Sequence, residues 1–271
     1  VRLCDTRQRS DQANVSNGLN VTVAGHIVTV RLARPAKCNA LTQAMWRELG
    51  LALDAVPGSA RVLLLLADGE HFSVGSDITE VAVHVKDRVW LRDNHDLVQR
   101  TEHKLFALPI PTVAVIRGRC IGSALGLISA CDFRLAATTS VFALAPASLG
   151  ISCSLAATRR LASLIGPARS REMLFCGNEI TAQTACAWGL VNELHRFEQL
   201  EFRAADLAAE LAGASRSALA AAKKTLLAIH AGQDEENEDS RQLALAAFDG
   251  ADFAEAMSAL IGKRAPRFGN S

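Results

Sequence analysis

Two short glycine-bearing stretches hold the residues of this chain best placed to do chemistry. The first is His71-Phe72-Ser73-Val74-Gly75-Ser76-Asp77-Ile78. The second, about forty residues on, is Arg117-Gly118-Arg119-Cys120-Ile121-Gly122-Ser123-Ala124-Leu125-Gly126. Each follows an apolar run of β type and leads into a helical pattern, so each turn leaves backbone N–H groups without partners at a helix start. Brought face to face, two such turns would make an oxyanion hole, a site for negative charge developing on a carbonyl oxygen.

Nearby titratable groups offer less. His71 is of a residue type suited to proton transfer but reads as a partly exposed loop histidine, and Asp77 as the cap of the helix after its turn. Glu80, His84, Asp93, His95 and Asp96 read as a solvated helix face, and Asp132 as structural. Ser73, Ser129, Ser148 and Ser152 have no paired base in view. Seven cysteines (Cys4, Cys38, Cys120, Cys131, Cys153, Cys176, Cys186) form an odd set without metal-type CxxC spacing. Most sit in apolar runs, which predicts reduced core thiols, no metal site and a cytoplasmic location.

The elements that must position the two turns alternate between strand and helix. Val21 to Leu32 alternates polar and apolar residues around Ala24-Gly25-His26, a hairpin pattern. Leu41, Met45, Trp46, Leu49, Leu53 and Val56 fall at helical spacing, and Pro57-Gly58 ends that helix. Arg61 to Ala67 and Thr112 to Ile116 are continuous apolar runs of strand length, suited to a sheet buried on both faces. A long helix is expected over Trp90 to Leu105, a short one over Ser123 to Ala130, and a third strand over Phe133 to Ala136. From Ser154 the pattern is almost wholly helical, broken at Gly166-Pro167, Gly177-Asn178 and Gly232. Parallel sheet units with helices packed on them, followed by a helical region, are the architecture this predicts.

The 271 residues, 49% of them hydrophobic, suffice for a large core. A net charge of +1, with basic residues scattered along the chain, favours neither nucleic acid nor a membrane surface. The pair Arg159-Arg160 reads as a solvated helix face. No apolar run approaches the roughly eighteen residues of a spanning helix, so no membrane insertion is expected. Residues 1–18 are polar and aperiodic and read as a loose arm without signal-peptide character. The charge run Gln233 to Asp239 reads as a helix start or exposed loop.

Five segments resemble the crotonase (enoyl-CoA hydratase/isomerase) superfamily. Arg34-Pro35-Ala36-Lys37-Cys38-Asn39-Ala40-Leu41 is similar to its RPxxxNAL signature, and Phe72 to Ile78 to its FSAGxDL element. Gly118 to Asp132 resembles the element built on GGG and ending in CD, and Leu149-Gly150 falls at the family's LG. Asp252 to Ala256 with Lys263 to Phe268 resembles its closing D-x-x-E-G…KRxPxF. The resemblance implies an α/β fold, a spiral of ββα units over 19–195 with a C-terminal helical trimerisation region over 196–271. It also implies homotrimers or hexamers and a coenzyme A thioester as substrate or ligand, with no further cofactor. Adenine and phosphates would lie near Lys37, Cys38 and Ala40, with help from Lys263 or a neighbouring subunit. The thioester would lie by Ser76, Asp77, Ile78 and Ser123, its oxygen accepting from the backbone N–H groups of Ser76 and Ser123.

The chain departs from that pattern at the positions of proton transfer. One hydratase glutamate falls on Gly126 and the other on Pro146, and GGG reads Gly122-Ser123-Ala124. If the turn needs positive φ beyond Gly122, Ser123 and Ala124 will strain it. Each acid–base group typically contributes about 10²–10⁴-fold, so losing both costs roughly 10⁴–10⁸-fold before allowance for non-additivity. A surviving hole, at about 10²–10³ per donor, does not restore that. Gly126 itself implies either a wider acyl pocket, lined by Leu144 to Ala147 and Leu149, or close packing of a helix on a strand. Three functions stay open: a thioester-binding or carrier protein, an isomerase or decarboxylase with a relocated base, and a structural oligomer partner.

Overall fold

The computed structural model describes residues 14–16 and 18–268. Of the stretch read as a loose arm, residues 1–13 and 17 lie outside the described residues. β1 (Asn14–Ser16) is not loose, since it pairs antiparallel with residues 19–21. The hairpin forms as β2 (Leu19–Ala24) and β3 (Ile27–Leu32). Next comes α1 (Gln43–Asp54), whose cap Thr42 accepts from the Met45 amide and whose apolar stripe buries Met45, Trp46, Leu49 and Leu53. β4 (Val62–Ala67), α2 (Ile78–Val83), α3 (Arg88–Ala107), β5 (Thr112–Ile116), β6 (Arg119–Ile121), α4 (Ser123–Ser129), β7 (Phe133–Ala137) and β8 (Val141–Ala143) complete the central run. After α5 (Leu155–Arg171), β9 (Ile180–Thr181), α6 (Ala182–Ala187) and β10 (Glu193–His195), the chain is helical through α7 (Phe197–Gly213), α8 (Arg216–Ala231), α9 (Glu238–Leu245) and α10 (Ala251–Ile261).

A seven-stranded sheet runs β1-β2-β3-β4-β5-β7-β10, parallel from β3 onward. A smaller sheet runs β6-β8-β9. β4 is wholly apolar because both of its faces are covered. Leu63, Leu65 and Ala67 point into the core beneath α1, α3 and α4, while Val62, Leu64 and Leu66 pack with Leu200, Ala204 and Leu207 of α7. The alternation follows from the two-residue period of a strand. β6, β8, β9 and β10 have only two or three residues each, too few to show a period. As expected, the helical run breaks at Gly166, whose φ of 75° and ψ of 163° are non-helical and kink α5 just before Pro167.

The cysteine reading needs correction. Among the described residues only Cys120 and Cys131 are buried, and Cys176 is exposed. The apolar run Met173 to Cys176 buries only Met173, so apolar neighbours did not guarantee a core thiol. Among the described residues no helix is long and apolar enough to cross a membrane.

Candidate active site

Because β4 and β5 are adjacent and parallel, the segments leaving their C-terminal ends emerge side by side. They zip together. Phe72 N–H donates to Arg117 O, Ser73 N–H to Arg119 O at 3.1 Å, and Ile121 N–H to Ser73 O at 3.0 Å. The two turns therefore touch: the Cα atoms of Gly75 and Gly122 are close enough that a Cβ on Gly75 would lie 3.4 Å from Gly122 Cα and 3.1 Å from Ser123 N. The hydroxyls of Ser76 and Ser123 meet at 3.1 Å.

Backbone geometry sets the direction of the amides. Ser76 forms a parallel bridge with Leu41, in which Leu41 N–H donates to Gly75 O and Asp77 N–H to Leu41 O. Ser76's own N–H then points to the opposite side of the extended chain. Ser123 is the first residue of α4, where an N–H has no intrahelical acceptor. Positive φ is confined to Gly122, at 61°, so Ser123 and Ala124 lie in helix and the expected strain from losing two glycines does not arise.

A buried frame holds the first turn. Asn39 is fully buried at φ 53°; its Nδ2 donates to Asp68 O and His71 O, both at 2.8 Å, and its Oδ1 accepts from Arg34 N–H. Arg34 Nη1 donates to Ala40 O at 2.7 Å and pairs with Asp77 at 3.1 Å. Asp77 caps α2 through the Thr79 and Glu80 amides. Burial pushes its carboxyl up, but the Arg34 hydrogen bond and charge and the two amides win and hold it below the usual range. Asp77 is thus structural, as its position predicts. Asp77→Ala is expected to cost about 1–2 kcal/mol at neutral pH, through the lost cap and pair. A lowered native pKa contributes stability above the unfolded value near 3.8 and loses it as pH falls through the native value. Urea unfolding should therefore show the gap to wild type closing below about pH 4; a gap that persists there would sink the assignment.

The remaining sequence-predicted groups scatter. His71 Nδ1 accepts from Arg119 N–H at 3.4 Å and packs where a Cβ on Gly118 would be, a structural use. Glu80 is not on a solvated face: its Oε2 accepts from Gln43 N–H at 2.8 Å and caps α1. His84 stacks on Trp90, and Asp93, His95 and Asp96 are exposed on α3. Asp132 accepts from Thr112 and Lys223. The hydroxyls of Ser73, Ser129, Ser148 and Ser152 all donate to backbone carbonyls. Lys37, Cys38 and Ala40 lie on one turn that bonds to the site through Val74 N–H to Cys38 O. Ile78 is exposed at the start of α2. Lys263 lies after α10; among the described residues no hydrogen bond or ion pair links it to that turn. Pro146 is buried, but Ala147 and Leu149 face outward, so the expected apolar lining is incomplete.

The sequence reading missed a carboxylate. Glu102 on α3 is buried, and a Cβ on Gly126 would collide with its Oε1 and lie 3.3 Å from its Cδ. Gly126 therefore neither widens a pocket nor packs α4 on a strand; it makes room for an acid from another helix. Arg160 of α5 donates Nη2 to Glu102 Oε2, both side chains being 3% exposed, so Arg160 is not the solvated residue its pairing with Arg159 suggested. Burial raises the Glu102 carboxyl to about 7, against the charge and hydrogen bond of Arg160, which lower it. A signal existed: Val98, Thr101, Glu102 and Leu105 share one helical face, and Arg160 precedes Leu161 on the inward stripe of α5. Two opposite charges on two apolar stripes suggest a buried pair.

Comparison with known proteins agrees with this fold. The model of the enoyl-CoA hydratase/isomerase family matches residues 22–271. The Bacillus subtilis protein YngF, named for the same family, is 33% identical over 201 residues, covering 73% of this chain and 76% of its own. The human mitochondrial Delta(3,5)-Delta(2,4)-dienoyl-CoA isomerase is 29% identical over 223 residues, covering 77% and 68%. A crystal structure of a family protein from Hyphomonas neptunium superposes with a TM-score of 0.90 at 25% identity, covering 94% of this chain and 98% of that one. With the motif order, the paired turns and the sheet all in agreement, the chain belongs to the enoyl-CoA hydratase/isomerase family, of the crotonase superfamily.

Proposed function

We propose that the protein binds an acyl-CoA thioester with its carbonyl oxygen between the Ser76 and Ser123 amides, and that it is not an ordinary two-glutamate hydratase. The contact of the Gly75 and Gly122 turns is the observation that carries this reading; the bridge at Leu41 and the helix start at Ser123 support free amides on both turns. Lys37, Cys38 and Ala40 would take the adenine and phosphates, with Lys263 contributing from this chain or a neighbouring copy. A trimer or hexamer would cover the exposed apolar side chains of the C-terminal region, among them Leu226 of α8, Phe248 between α9 and α10, and Leu260 and Ile261 of α10. Gly126 and Pro146 supply no side chain that moves a proton, so water addition lacks its usual acid and base.

Titration with butyryl-CoA is expected to give a micromolar dissociation constant. Ser123→Pro removes one donor where proline is well tolerated, at the first helical position, and Gly122 has no Cβ to clash with the ring. It should weaken binding roughly three- to tenfold, the value of one net hydrogen bond, with folding intact. Crotonyl-CoA hydration within a hundredfold of an ordinary hydratase would overturn the reading, as would failure to bind any CoA ester; the latter would leave a structural oligomer partner.

A further inference from the structure

We propose that Glu102 is the proton-transfer group of this site, a catalytic residue supplied by α3 in place of those absent at Gly126 and Pro146. This rests on the thioester reading above and assigns the chemistry it permits. Gly126 lies one helical turn beyond Ser123 on α4, which puts the two residues' side-chain positions about 5–6 Å apart. The Glu102 carboxylate occupies the Gly126 position from behind, with Oε1 toward α4 and Oε2 held by Arg160. A base one turn from the Ser123 amide stands beside C2 of a thioester whose oxygen sits at that amide.

A purely structural pair accounts for less. Glycine inside a helix is unfavourable relative to alanine, yet alanine at Gly126 would press on Oε1, so glycine leaves room for that oxygen against α4, at the position one turn from Ser123. Arg160 is also incompletely satisfied: its Nε is buried without a partner, unusual for a bridge kept for stability. The groups facing Glu102 are Arg160 from α5 and Cys153 from the segment before it, with His230 of α8 beyond Arg160; α4 presents no titratable side chain. Burial, then the Glu102 charge, push the Cys153 thiol up, so it does not compete as a base. A carboxyl near 7 is matched to proton transfer at neutral pH.

One base supports a 1,3-proton shift and not the addition of water. Glu102 carboxylate takes a proton from C2 of a 3-enoyl thioester, and the C–H electron pair passes into a dienolate whose oxygen is held by the two amides. The carbonyl re-forms, the double bond moves to C2–C3, and C4 takes the proton back from Glu102. The product is the 2-enoyl thioester of equal mass, with the carboxylate restored.

The test uses the full chain with butyryl-CoA in D₂O and with 3-hexenoyl-CoA. Wild type is expected to exchange C2 protons and form the 2-enoyl product, with kcat rising as pH increases through about 7 and Glu102 ionises. Glu102→Gln, nearly isosteric, should lose at least about 100-fold in both while binding butyryl-CoA within threefold of wild type. Gly126→Ala, which keeps the carboxylate but blocks Oε1, should lose at least tenfold and serves if the first variant does not fold. Exchange by Glu102→Gln within tenfold of wild type would overturn the proposal, as would a wild type that binds the ester yet neither exchanges nor isomerises it. Failure to bind any ester would remove the thioester reading and this proposal together.

Discussion

Arg160→Met is expected to destabilise the protein by about 3–5 kcal/mol at pH 8, because it leaves the Glu102 carboxylate buried without its cation. The pH dependence has a defined sign. A carboxyl raised to about 7, from 4.5, binds its proton more tightly in the native state than in the unfolded one. Its contribution to stability therefore falls as pH rises from about 4.5 through about 7. Removing Arg160 deletes the influence that lowers this value, so in the variant the fall continues to higher pH. The loss relative to wild type should thus be smaller at pH 5.5, where Glu102 is neutral in both proteins. Urea unfolding at the two pH values, at fixed protein concentration, checks this; a loss below about 1 kcal/mol at both would show the pair to be spent on neither stability nor charge. Replacing both partners, as in Glu102→Leu with Arg160→Leu, should recover most of the stability, since a buried pair is often neutral against an apolar one.

The second large effect is expected at Gly75. Its φ of 86° is one that side chains rarely adopt, and an added Cβ would stand 2.6 Å from Ile121 O and 3.1 Å from Ser123 N. Both atoms belong to backbone fixed by hydrogen bonds, so neither swings aside. Gly75→Ala should cost roughly 2–4 kcal/mol and weaken thioester binding more than tenfold by parting the two turns. Gly122→Ala is the contrasting variant. Its φ is also positive, but the nearest atom to the new Cβ would be Gly75 Cα at 3.9 Å. It should lose only about 1–2 kcal/mol, from backbone strain without overlap. Equal tolerance of the two changes, by unfolding and by butyryl-CoA titration, would refute the idea that the turns must touch.

Much of this molecule is written locally. The hairpin β2–β3, α1, the apolar strands β4 and β5, α4 and β7 all arise from periodicity and turn residues within a dozen positions, and each forms close to its expected bounds. The family, too, was legible in the order of five motifs, because those motifs encode turns and caps: Asn39 and Cys38 at positive φ, Gly75 and Gly122 where the chain reverses, Asp77 at a helix start. Less was legible where elements are short. β9 and β10 owe their existence to neighbours such as β7 and β8, against which two or three residues find partners.

The charged groups divide the two kinds of knowledge most sharply. Sequence alone determined that Gly126 and Pro146 bear no acid, and that Ser123 starts a helix after a strand, since composition and local turn chemistry fix both; Ser76 proved to lie in extended chain just before the cap of its helix. Only the tertiary structure decided that Glu102, Arg160 and Gly126, from three helices far apart in the chain, meet at one point. Burial is a property of packing between elements: the same glutamate on an exposed face of α3 would be a solvated charge, as Asp93 and Asp96 are. It is the closure of α4 and α5 over that face that removes water from Glu102 and raises its carboxyl.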